Sequence, residues 1–190
     1  VTNSFGAGKE DIWVLKLRPD GTVEWQKTYG GDNVDWANSI QETRDGGYIV
    51  AGWTQFGVGW QVFRVLKLRA NGAVEWQKTY GEGEASSIQE TRDGGYVVAG
   101  WTALFPLWYE ADIWVLKLRA DGAVEWQKTY GGDGSDWANS IQQTSDGGYI
   151  VAGRTWSFGV GEEDVWVLKL KADGTVEWQK TYGGTDQDEA

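Results

Sequence analysis

The chain has 190 residues, a formal net charge of −11 at pH 7, and no Cys, His or Met. Disulfides are therefore excluded, and most soft metal ligands and the commonest general acid/base are absent. The acidic balance argues against nucleic acid and anionic membrane surfaces as partners, and no apolar stretch approaches the length of a membrane span.

Val1 and Thr2 read as the last step of an inner strand. The first full run is Ile12 to Leu17, where Trp13, Leu15 and Leu17 share one face and Ile12 and Val14 the other. Such alternation is the period of a strand. Asp20-Gly21 then supplies a hairpin turn, and Val23 to Tyr29 continues with one polar face, Glu24, Gln26 and Thr28. A third run, Ala37 to Thr43, leads through Asp45-Gly46-Gly47 into Tyr48 to Thr54, which is apolar on both faces and so is expected to be buried on both. From Val62 the series starts again. We label these runs A (Ala37 to Thr43), B (Tyr48 to Thr54), C (Ile12 to Leu17) and D (Val23 to Tyr29). Further A runs are Ala85 to Thr91 and Ala138 to Thr144. Further B runs are Tyr96 to Thr102 and Tyr149 to Thr155. Further C runs are Val62 to Leu68, Ile113 to Leu118 and Val165 to Leu170. Further D runs are Val74 to Tyr80, Val124 to Tyr130 and Val176 to Tyr182.

The repeat is the strongest signal in the chain. Glu-Trp-Gln-Lys-Thr-Tyr-Gly stands unchanged at 24–30, 75–81, 125–131 and 177–183. A period of about 50 residues with strands in each unit predicts an all-β β-propeller of four-stranded antiparallel blades. C–D pairs occur four times and A–B pairs three times, giving 14 strands, or three and a half blades, in one repeat domain over 1–190. The expected boundaries are a half blade over 1–31 and blades over roughly 32–81, 82–132 and 133–184. The repeated Trp25, Trp76, Trp126 and Trp178 are expected to be packing between blades.

Val14-Leu15-Lys16-Leu17, Asp20-Gly21 and Trp25 resemble the outer-strand signature of quinoprotein-type propeller repeats. The longer pattern, Asp-Gly-Gly-Tyr-Ile-Val-Ala-Gly followed by Asp-Ile-Trp-Val-Leu-Lys-Leu and Trp-Gln-Lys-Thr-Tyr-Gly-Gly, is similar to uncharacterised repeat propellers of archaeal and bacterial surface proteins. That likeness runs through nearly the whole chain. It implies the fold and an extracellular or cell-surface origin, and no chemistry. The quinoprotein catalytic residues have no counterpart here. Copies this alike also fit a recently amplified or consensus-derived gene.

Where the copies differ, the differences fall on one end. The A–B and C–D turns are nearly invariant, whereas the D–A and B–C connections vary. In the second C run Arg64 replaces the Trp found at 13, 114 and 166, and Trp60 and Phe63 break the pattern. The third B–C loop is an apolar run, Leu104-Phe105-Pro106-Leu107-Trp108-Tyr109. Loops on a rigid scaffold are the usual carriers of recognition. The expected ligand-binding residues are Trp60, Phe63, Phe105, Leu107, Trp108 and Tyr109, with Trp36, Trp137 and Trp156. The expected function is non-catalytic binding of a protein or peptide, with a lectin-like carbohydrate binder and a structural, self-assembling propeller as alternatives. No cofactor, metal or catalytic residue is expected. Close carboxylates such as Asp32/Asp35 and Asp133/Asp136 match no calcium-loop pattern and read as solvated charge. The unequal strand count further predicts that something fills the incomplete blade, by self-association or strand complementation.

Overall fold

A computed structural model describes residues 1–2, 6, 8–57, 59–102 and 110–188. They form fourteen strands and no helix. The strands are β1 (Ile12–Leu17), β2 (Val23–Tyr29), β3 (Asp35–Glu42), β4 (Tyr48–Phe56), β5 (Trp60–Leu68), β6 (Val74–Glu82) and β7 (Glu84–Glu90). They continue with β8 (Tyr96–Thr102), β9 (Asp112–Leu118), β10 (Val124–Tyr130), β11 (Asp136–Gln143), β12 (Tyr149–Thr155), β13 (Asp164–Leu170) and β14 (Val176–Tyr182). Every pairing is antiparallel. β1–β2 form a two-stranded half blade. β3–β6, β7–β10 and β11–β14 form the four-stranded blades 1, 2 and 3. The arrangement is propeller-like, with three and a half blades.

Two departures from the expected strands shape the loop end. Each A strand begins at its Asp or Glu, before the predicted Ala, and carries a bulge between Ala37 and Ser39, Ala85 and Ser87, and Ala138 and Ser140. At the bulge the two backbones come close. A Cβ on Gly52, Gly100 or Gly153 would strike the carbonyl oxygen of residue 36, 84 or 137, which accounts for Gly in every B run. In blade 1 the β4–β5 hairpin is longer than its counterparts and pairs out to Phe56 opposite Trp60.

In blades 1 to 3 each C strand is buried between B on one side and D on the other. D is outermost and mostly exposed, as its polar face requires. The blades are locked together by their D strands. Trp25, Trp76 and Trp126 lie edge-on to Tyr48, Tyr96 and Tyr149 of the next blade, with ring centroids 5.8, 5.9 and 5.8 Å apart. The indoles of Trp25 and Trp76 donate to the carbonyls of Ala70 and Ala120 at 3.2 and 3.1 Å. The hydroxyls of Tyr29, Tyr80 and Tyr130 donate to the carbonyls of Gly72, Gly122 and Gly174 at 2.7, 2.8 and 2.6 Å. Identical sequence therefore serves an identical contact.

The inner strands are stitched by side chains. The backbone N–H of Ile88 and of Ile141 donates to Ser39 and Ser87 Oγ, and that of Glu90 and Gln143 to Gln41 and Gln89 Oε1. At the turn end, the ammonium groups of Lys67, Lys117 and Lys169 are buried against Asp45, Asp93 and Asp146 of the A–B turns, at 2.7, 2.8 and 2.8 Å. These pairs hold the A–B and C–D hairpins of one blade in register. The bond from Lys67, then that from Thr43, holds the Asp45 carboxyl well below the usual carboxylate range.

Candidate functional site

The varied end of the molecule is built on one repeated frame. In three places the frame holds an Asp: Asp35 and Asp136, which open A strands, and Asp188, which follows β14. Its N–H donates to the carbonyl of Glu10, Ala111 or Glu163 of the preceding blade, at 2.7, 2.6 and 2.7 Å. Beside it lies the Asp that precedes the apolar C run: Asp11, Asp112 or Asp164. The two carboxylates crowd the same point, next to Gly30, Gly131 and Gly183, where a Cβ would strike both. Asp136 is fully buried. Its Oδ2 accepts from Ser157 Oγ at 2.6 Å and from Gly132 N–H at 3.1 Å, while its Oδ1 has no hydrogen-bond partner. Burial pushes its carboxyl up, and burial together with the nearby Asp136 charge does the same to Asp112. Among the described residues no group of three or more carboxylates is placed to hold a metal ion.

The junction between blades 1 and 2 keeps the frame and loses both acids. Gly83 N–H donates to the Gln61 carbonyl at 2.9 Å, the bond made by Asp at the other junctions. Gly83 replaces the A-strand Asp, and Val62 replaces the C-strand Asp, as the rung Thr54–Val62 against Thr102–Asp112 and Thr155–Asp164 shows. In their place is an apolar groove of about 680 Å³, lined by Phe56, Trp60, Val62, Tyr80 and Trp114. Phe56, at the hairpin tip, is 72% exposed. A second cleft of about 600 Å³ lies across Trp114 and Thr102, lined also by Glu110, Asp112 and Lys128. An exposed apolar groove with a carboxylate-bearing neighbour suits an apolar anchor with a cation beside it.

The sequence-derived site residues separate into groups. Trp60 lines the groove. Phe63 does not, and this is a correction: it is fully buried, its ring 4.6 Å from that of Trp114, at the inward position held by Ile113 in blade 2. Strand alternation puts Phe63 and Val65 on one face, into the core. Trp36 stacks on Trp53 within blade 1, centroids 6.2 Å apart and planes 5° apart. Trp137 carries the Arg154 guanidinium 4.6 Å above its ring, and Arg154 also meets Glu163 at 3.2 Å. Glu163 accepts from the Trp156 indole at 2.8 Å, so Trp137 and Trp156 belong to one chain of contacts in blade 3. Phe105, Leu107, Trp108 and Tyr109 lie outside the described residues.

Phe56, Val62, Tyr80 and Trp114 were not expected in the site. The signal for them was present: aligned on the C runs, Val62 and Gly83 are the two places where both acids of a junction vanish together. Arg64, which replaces the repeated Trp, serves the neighbouring junction, where its guanidinium pairs with Asp35 and reaches Gln77 at 3.1 Å.

No family model matches the chain, and no curated protein matches it. Among solved structures, the chain is similar to a protein of unknown function from Bacteroides caccae, whose crystal structure was determined at 1.35 Å resolution. The TM-score is 0.60 and the identity 16%, over 95% of this chain and 57% of that one. The present chain thus spans little more than half of that protein, and the likeness is one of fold.

Proposed function

We propose that this chain is a non-catalytic binding scaffold that takes a protein or peptide segment at the junction of blades 1 and 2. One observation carries the reading. The junction that lacks the repeated Asp pair is the one that opens into an apolar groove, with Phe56 and Trp60 facing each other across the hairpin tip. Aromatic side chains in a desolvated cleft are typical anchors of recognition. The ligand class follows from the surroundings: an apolar or aromatic side chain for the groove, flanked by Lys or Arg for Glu82 and for Glu110 in the adjacent cleft. The net charge of −11 favours a basic partner over an acidic one.

Panning a phage-displayed random peptide library on the intact protein tests this. Enriched peptides are expected to share an aromatic or large aliphatic residue next to a basic one, and to lose binding to Trp60→Ala. Peptides that bind Trp60→Ala unchanged place the site elsewhere. Binding on a glycan array that is lost in Trp36→Ala or Trp137→Ala favours the lectin-like alternative instead.

A further inference from the structure

The repeated acid pair behaves as a unit. At the junction of blades 1 and 2 both members are lost together, to Val62 and Gly83. Two side chains that come and go together answer to one contact. At the junction of blades 2 and 3 they are Asp112 of β9 and Asp136 of β11. A Cβ on Gly131 would strike Asp112 Oδ1 and come within 2.8 Å of Asp136 Oδ2. The two oxygens therefore lie within the roughly 5 Å that separates opposite ligands of one calcium ion. Like charges at that distance repel, and among the described residues neither acid is paired with Lys or Arg.

In blade 1 a cation holds the matching acid. There the Arg64 guanidinium binds Oδ1 of Asp35, from the C-strand position opposite Gly52. In blade 3 the position opposite Gly153 is Trp166, whose indole N–H makes no hydrogen bond. Asp136 is 0% exposed, and its Oδ1 has no hydrogen-bond partner. Its other oxygen is taken by Ser157 and Gly132. Buried charges in proteins are paired or ligate metals, and a buried oxygen without a protein partner is where a water or an ion sits. Further oxygen is at hand. Thr155, fully buried, lies opposite Asp136 in the sheet with its hydroxyl beside the carboxylate. On the outer side Asp112 and Glu110 face the cleft of about 600 Å³, whose wall also carries Lys128 and Gly132.

We propose that the Asp112–Asp136 pair is a calcium site that ties together the loop ends of blades 2 and 3, with Asp136 Oδ1 and the Asp112 carboxylate as protein ligands. The ion does for this junction what Arg64 does for Asp35. A hard dication suits all-oxygen surroundings in a chain with no His or Cys. Calcium suits them better than magnesium, because a buried carboxylate requires the ion to shed water, which magnesium does reluctantly. A water in the same place would fill a hydrogen bond and leave both charges uncompensated.

The test strips the intact protein of metal with a chelator, then adds calcium chloride and follows the heat of binding and the melting temperature. Half-saturation on the order of 0.1–1 mM is expected for a site with two carboxylates, with a melting temperature that rises with calcium. In chelator Asp136→Asn is expected to fold at least as stably as the natural chain, because it removes a buried charge. It should bind calcium about tenfold or more weakly and show no calcium-dependent rise. Asp133→Asn removes the same charge from an exposed position in the same loop and should leave both responses intact. No heat and no shift at millimolar calcium overturn the proposal. So does a response that survives Asp136→Asn, which places the ion elsewhere. A response that magnesium reproduces in full also overturns it, because general screening of the net charge of −11 then suffices.

Discussion

At the outer edge of the molecule the junction of blades 1 and 2 and the junction of blades 2 and 3 share the same ring and hydroxyl contacts, though of the two indoles it is Trp76 that also donates to a carbonyl, that of Ala120. Trp76 lies on Tyr96 as Trp126 lies on Tyr149, and Tyr80 and Tyr130 donate to equivalent glycine carbonyls. At the loop end they share a backbone bond, Gly83 to Gln61 and Asp136 to Ala111, and differ in the side chains around it. One holds the buried Asp136 beside a half-buried Asp112, and the other holds Val62 and Gly83 beside an apolar groove. The D strands and turns therefore fix the spacing of the blades, and the loop end is free to change its chemistry without altering that spacing.

The largest test of the shared frame is Trp76→Ala beside Trp126→Ala. Each removes an indole packed against the next blade, and each is expected to cost about 3–5 kcal/mol in urea unfolding. Unequal costs would mean that the outer edges are not equivalent. Trp60→Ala separates the loop ends instead. It is expected to lower the affinity for a selected peptide by about 2 kcal/mol, in titration calorimetry, while moving stability far less than Trp76→Ala does.

The backbone of the two junctions can be compared directly. Gly83 has φ +135°, and a Cβ there would strike the Trp101 carbonyl, whereas Asp136 stands at the same point without a positive φ. Gly83→Ala is expected to destabilise the fold by about 1 kcal/mol or more. A neutral outcome would show that glycine is not needed to carry the groove.

The acid pair gives the smallest effect, and its sign is set by burial. A carboxyl whose folded pKa is raised contributes stability that is full below its unfolded pKa, about 3.9, and is lost as pH rises through the folded value. Asp136→Asn removes that loss, so the variant is expected to gain on the natural chain as pH rises above about 4. A constant difference across that range would mean that the Asp136 carboxyl is not held up by its surroundings.

The strands and turns were legible because period two, Asp-Gly turns and the repeated D run agree with one another. The bulge after each A-strand Ala was not, since it depends on how closely two backbones approach. The site was legible only in part. Trp60 was singled out because it breaks the repeat, and it does line the groove. Phe63 was singled out for the same reason, yet it fills the core position that Ile113 holds in blade 2, which strand parity alone assigns. Tyr80 is identical in sequence to Tyr29 and Tyr130, so nothing in its own segment marks it. It enters the groove because Val62 in its own blade and Gly83 at the start of the next stand where the other junctions carry acids.

The forward direction of the bonds between outer edges has a consequence in time. Trp25, Tyr29, Trp76, Tyr80 and Tyr130 all donate to carbonyls that lie later in the chain, by 45, 43, 44, 42 and 44 residues. On the ribosome the outer strand of each blade emerges before its acceptors exist. At roughly 5–20 residues per second, each waits on the order of 2–9 s for the following blade to be synthesised. A stalled nascent chain therefore ends in a blade whose outer tryptophan has not yet met the tyrosine of the next one, so an apolar ring stays in water until another blade is made.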